Sequence, residues 1–212
     1  MQLTKLGHAC VRLEKAGANL VIDPGVWSGP DALSGASAIL ITHEHVDHLD
    51  APRVLDALAG DPGLQVWTNA SVAAQLADAG DRVHVVGHGD TFSAAGFDVG
   101  VYGQEHAVIH RDIPVIANSG FVVDGEVFHP GDSLTVPEDR IATLLLPYNA
   151  PWLKVSEMID YVREVAPQRA YAIHDAMLNA NGLGLMQNLL KVAAAPAGAE
   201  YARLEPGTTV EI

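Results

Sequence analysis

Five side chains able to hold a divalent cation crowd into six positions, His43-Glu44-His45-Val46-Asp47-His48, directly after an apolar run over residues 38–41. On a strand, residues i and i+2 share a face, so His43 and His45 point together from its end. Asp47 and His48 follow where the chain must turn. One strand end can therefore offer two imidazoles to one metal ion and an Asp/His pair to a second. Imidazole with carboxylate suits zinc and, less selectively, iron or manganese. A lone loop histidine is ordinarily a solvated side chain. His-x-His-x-Asp-His behind a strand meets the spacing that coordination demands.

One strand end cannot satisfy two ions, so other strand ends must supply the rest. His106 follows the strand-like residues 99–103. His110, four positions on, would share its face if that piece were helical; His106 is favoured because it lies nearer the strand end. Asp132 sits in Phe128-His129-Pro130-Gly131-Asp132, where a glycine lets the backbone bend close to a neighbour. A carboxylate there can bridge two cations, or else cap its own turn. His174 ends the strand-like residues 170–173, as a ligand or as a structural histidine.

The elements that position these groups follow from periodicity and turn residues. Residues 10–14 and 19–23 read as a hairpin and 38–42 as a buried strand. A helix follows, with Asp50 as cap, Pro52 in its first turn and Val54, Leu55 and Leu58 on one face. Further strands are expected at 65–68, 83–86, 91–93, 97–102, 121–123, 126–128 (turning at Asp124-Gly125), 141–146, 170–173, 201–204 and 208–212. Helices are expected from 71 to 79, stopped by Gly80, from Ser156 to Pro167, and around Leu185 to Leu190 before Pro196. Hairpins mixed with strand–helix units in two similar halves fit two packed sheets with helices outside.

The 212 residues suffice for one domain spanning 1–212. No apolar run approaches the roughly 20 residues that cross a bilayer, and no signal peptide is evident at the N-terminus, so a cytoplasmic location without a membrane partner is expected. Cys10 is the only cysteine and reads as a buried thiol, which excludes an internal disulfide. A net charge of −14, with 12 basic residues, argues against a nucleic-acid partner. No Gly-x-Ser-x-Gly nucleophile elbow is present. Tyr148, Asn149 and Trp152 are candidate pocket residues, and His129 and His110 candidate contacts to an anionic group. His84 and His88 read as structural or solvated, and residues 27–36 as a small lid.

In order along the chain, His43-x-His45-x-Asp47-His48, His106, Gly131-Asp132 and His174 resemble the metallo-β-lactamase-fold hydrolase superfamily. Gly7-His8 and Ile22-Asp23-Pro24-Gly25 resemble the opening of its ascorbate-6-phosphate lactonase-like branch. The resemblance implies an α/β (α+β) fold: a four-layer αββα sandwich of two mixed sheets with outer helices. It implies that His43, His45 and His106 hold one metal and that Asp47, His48 and His174 hold another. Asp132 would bridge the two, with Asp23 and His8 behind them. Two divalent ions, zinc with manganese or iron as alternatives, would generate a bridging hydroxide, and Asp47 would move its proton. The substrate would be a small-molecule ester, lactone or phosphoester. A nucleic-acid phosphodiesterase and an iron-binding redox protein without hydrolytic turnover are the alternatives.

Overall fold

The computed structural model describes residues 1–194 and 200–212. Fourteen strands form two seven-stranded sheets among these residues. The first sheet contains β1 (Gln2–Gly7), β2 (Cys10–Lys15), β3 (Ala18–Ile22), β4 (Ala38–Ile41), β5 (Val66–Thr68), β6 (Val83–Val85) and β14 (Thr209–Glu211), ordered β14-β1-β2-β3-β4-β5-β6. The second contains β7 (Thr91–Ala94), β8 (Phe97–Tyr102), β9 (Gly120–Val123), β10 (Val127–His129), β11 (Thr143–Pro147), β12 (Arg169–Ile173) and β13 (Glu200–Ala202), ordered β13-β12-β11-β10-β9-β8-β7. Each sheet is mixed: antiparallel hairpins give way to parallel strands from β3 to β6 and from β10 to β13.

Helices α1 (Ala51–Gly60) and α2 (Ala70–Gln75) cover the first sheet. Helices α3 (Val155–Val165) and α4 (Ala180–Ala194) cover the second. The period of two in each strand sorts side chains between layers. Leu20, Ile22 and Leu40 face Phe97, Phe121 and Leu145 between the sheets, whereas Val21, Ile39 and Ile41 face Val54, Leu58 and Val72. Behind the second sheet, Leu144 and Leu146 pack on Met158, Val162 and Met186. This is the four-layer αββα sandwich that the resemblance implied.

Local signals explain most boundaries. Asp50 accepts from the Arg53 amide to open α1, with Pro52 in the first turn. Ala166 ends α3 in the left-handed region immediately before Pro167. Two expectations needed correction. The helix predicted over 71–79 spans only Ala70–Gln75, and a 3-10 turn continues from Ala77 to Arg82. The N-terminal residues, where no element was expected, form β1 between β14 and β2. Thr4 and Lys5 break its apolar pattern, yet both are buried. Lys5 is buried because its Nζ meets Asp175 Oδ1 at 2.7 Å and donates to Ala172 O at 2.8 Å. Pro196, expected beyond the last helix, lies outside the described residues.

Candidate metal centre

The site forms at the carboxyl ends of β4, β8, β10 and β12, where the two sheets meet. Asp23, just after β3, organises it. Its carboxylate accepts from Thr42 N (2.8 Å), Thr42 Oγ1 (2.7 Å) and His48 Nδ1 (2.7 Å). These bonds hold Asp23 at φ 53°, a sparsely populated region for a non-glycine residue. The ligand loop lies so close that a Cβ on Gly25 would sit 2.0 Å from Asp47 O. Glycine is equally required at 131, where φ is 63° and a Cβ would lie 2.2 Å from Asn118 Oδ1. That Asn118 oxygen accepts from the Asp132 amide at 3.0 Å and sets the carboxylate's direction.

Four imidazoles are oriented by what their Nδ1 atoms touch. Thr42 Oγ1 has given its hydrogen to Asp23, so it accepts from His43 Nδ1 at 3.0 Å. His48 Nδ1 donates to Asp23, His106 Nδ1 to Ala107 O at 2.5 Å and His174 Nδ1 to Asn149 O at 2.7 Å. In the neutral ring each therefore turns an Nε2 lone pair inward, the form a metal requires. The Nε2 atoms of His43, His48, His106 and His174 and Oδ1 of Asp132 are buried without a hydrogen-bond partner. Among the described residues, only Arg12 Nε and Tyr148 Oη share that condition. Buried polar atoms are normally paired, so five orphans facing one space fit a cationic ligand.

Two clusters emerge. His43, His45, His106 and Asp132 bring one ligand atom each to within 4.8 Å of one another, as do His8, Asp47, His48 and His174. Asp132 reaches both: Oδ2 lies 3.3 Å from His106 Nε2 and 3.1 Å from His174 Nε2, and Oδ1 lies 3.2 Å from His48 Nε2. The Trp152 indole donates to Asp132 Oδ2 at 2.9 Å. His8 differs from the others. Its Nδ1 accepts from the Ala176 amide at 3.2 Å, so its Nε2 carries the proton and donates to Asp47 Oδ2 at 3.1 Å. That tautomer makes it a partner of Asp47 rather than a metal ligand.

The electrostatics follow from this crowding. Burial opposes ionisation of Asp132, but the His48 charge and the close-lying His106 and His174 imidazoles hold its carboxyl well below the usual range. Asp47 is held low in the same way by His174 and His8, again against burial. Burial pushes His43 and His45 down, and neighbouring imidazoles add to it. It opposes protonation of His48 and His174 as well, but the facing carboxylates win: His48 is raised well above 6.5, and His174 is held at about 9.

A family model described as a β-lactamase superfamily domain matches residues 2–174. The chain belongs to the metallo-β-lactamase-fold superfamily. It is 41% identical to Protein Rv0786c of Mycobacterium tuberculosis, over 87% of this chain and 89% of that protein. It is 28% identical to a UPF0173 metal-dependent hydrolase of Flavobacterium johnsoniae, over 68% of this chain and 67% of that protein. Among solved structures it is similar to Igni18, a metallo hydrolase of Ignicoccus hospitalis, with a TM-score of 0.75, 19% identity, and coverage of 99% of this chain and 97% of that one.

The structure brings His43, His45, Asp47, His48, His106, Asp132 and His174 together, with Asp23 and His8 against them. It places His110 elsewhere, on an exposed turn where its Nδ1 accepts from the Asp112 amide. The residues between His106 and His110 are not helical, so the two rings do not share a face. Three pocket expectations are corrected. Tyr148 packs in the core behind the second sheet. His129 is fully buried, between Ala9 O at 2.9 Å and the Gly131 amide at 3.1 Å. Asn149 serves through its backbone carbonyl. Residues 27–36 form a packed loop: Ala32 and Ala36 are buried, and Arg12 Nη2 binds the carbonyls of Ala32 and Ser34. Thr42 and Asn118 escaped the sequence reading, since a single Thr or Asn carries no motif. His84 bonds Gln65 and His88 accepts from the Gly103 amide, both away from the clusters. Cys10 is buried, and burial raises its thiol pKa.

Proposed function

We propose that this protein is a metal-dependent hydrolase that holds two divalent cations, zinc before manganese or iron, and cleaves an ester, lactone or phosphoester bond of a small molecule. The observation that carries this reading is the set of five buried, unpartnered ligand atoms converging between two seven-stranded sheets. The superfamily membership and the metal-dependent hydrolase among its relatives support it.

His43, His45 and His106 would hold one cation, Asp47, His48 and His174 the other, and Asp132 would span both. Such cations supply Lewis acidity and bring the pKa of a shared water toward neutrality. The chain's own groups do the rest. Asp23, Ala107 O, Asn149 O and Thr42 keep each imidazole in the tautomer that exposes Nε2. Asp47 lines the cavity, and its depressed pKa keeps it ionised. It receives the proton of the attacking water on a carboxylate oxygen, and His8 Nε2–H fixes its orientation.

The test is metal analysis by mass spectrometry on protein purified without added metal, coupled to a broad hydrolase panel. The expected result is two equivalents of zinc per chain and metal-dependent turnover, with turnover lost in folded Asp47→Ala and His45→Ala proteins. Full activity in Asp47→Ala, or iron as the dominant metal without hydrolysis, would overturn the reading.

A further inference from the structure

A cavity of about 480 Å³ opens onto the two clusters, a volume within the range of small-molecule sites. Its walls beyond the His/Asp clusters are mostly apolar, Trp27, Val46, Ile109, Pro151, Trp152 and Met177, with Gln75 and Glu44 as the polar exceptions. Trp27 packs edge-on against His8 at 4.8 Å between ring centroids, beside the second cluster. Trp152 packs edge-on against His106 at 6.0 Å, beside the first. Val46 and Met177 leave 63% and 47% of their surfaces exposed. Apolar side chains left bare around a reaction centre mark a surface that a ligand covers.

Charge gives the second, independent line. Among the described residues no lysine or arginine lines this cavity, and the one ionisable wall residue outside the His/Asp clusters is an acid, Glu44. Phosphoryl groups are normally gripped by guanidinium, ammonium or converging backbone N–H donors. The wall is also preset. Val26 N donates to Val46 O at 2.8 Å, and Arg53 clamps Ser28 Oγ and Gly29 O at 3.0 Å each.

We infer that the substrate is an uncharged carboxylic ester or lactone whose apolar acyl part lies along the Trp27, Val46, Met177 and Trp152 wall. This rests on the hydrolase reading and narrows it. In the reaction, the water oxygen bonds to the carbonyl carbon and the acyl C–O bond breaks. The leaving alkoxide takes a proton, giving a carboxylic acid and an alcohol, joined in one molecule if the substrate is a lactone. No oxidant or further reactant enters.

The experiment measures kcat/KM of the metal-loaded protein for p-nitrophenyl acetate, butyrate and hexanoate, with bis-p-nitrophenyl phosphate alongside. The expected result is a rise of about two- to fourfold per added methylene, the gain from moving a CH₂ out of water, with the phosphodiester well below the hexanoate. Val46→Lys and Met177→Lys should each cut the hexanoate-to-acetate ratio about tenfold, with metal content showing that the site still assembles. A flat or falling chain-length series, or a preference for the phosphodiester, overturns the substrate class and leaves the hydrolase reading standing. No turnover of any of the four substrates, the phosphodiester included, by protein carrying two equivalents of metal overturns both.

Discussion

The two ligand clusters share Asp132 and lie in contact, yet they are built differently. Around His43 and His45 the neighbours are imidazoles, and both rings are pushed toward the neutral form. Around His48 and His174 the neighbours are carboxylates: Asp23 behind, Asp47 and Asp132 in front. Those rings are pushed toward the protonated form. The first cluster is ready for a cation as it stands. The rings of the second lean toward the protonated form, so a cation bound there would have to displace protons, and its uptake would be coupled to proton release.

Removing the shared group breaks both clusters at once. Asp132→Ala should cost both equivalents of metal and about 10³-fold or more in turnover. Metal retention at wild-type stoichiometry would show that the clusters do not depend on it. His8→Phe touches the second cluster, through the bond to Asp47 and the His174 ring 4.0 Å away, and should lower turnover about 10- to 100-fold. Unchanged kcat in that variant would sink the role given to the His8–Asp47 bond.

pH separates the clusters in chelated protein. His48 and His174 have folded pKa values above their unfolded value of about 6.5. Their stabilisation is fully present below pH 6.5 and is lost as pH rises toward about 9, the value at His174. His43 and His45 are lowered, so the native state binds fewer protons than the unfolded chain below pH 6.5, and stability is lost as pH falls there. Thermal melts of metal-free protein should therefore peak near pH 6.5, and added zinc should remove the alkaline limb. A melting temperature still rising from pH 6.5 to 9 without metal would contradict the charge distribution in the second cluster. The smallest expected effect lies outside both clusters. Tyr148 Oη is buried without a partner, so Tyr148→Phe should change stability by no more than about 1 kcal/mol and leave turnover unaltered.

The candidate ligands differ in how far they could be read from residue order. His43, His45, Asp47 and His48 occupy one strand end, so local spacing alone exposes them. His106, Asp132 and His174 come singly from β8, β10 and β12, and each could pass for a turn or surface residue. Only their order along the chain joined them. The choice between His106 and His110 depended on the backbone between them, which does not coil into a helix. Tyr148 and His129 misled because both lie at a strand end, and a strand end reveals position but not which face is covered. Lys5 hid β1, because a lysine argues for solvent until Asp175, 170 positions away, is seen to neutralise it.

Residue types and spacing were enough for the chemistry: imidazoles and carboxylates in a layered α/β frame, with too few basic residues to suit a polyanion. The packed fold alone decided which nitrogen of each ring faces inward and that His8 serves Asp47. It also decided that the cavity wall is mostly apolar. The reason is physical. A ring nitrogen's role depends on the partner of the other nitrogen, and those partners, from Asp23 to Ala176, sit up to 168 residues away in the chain.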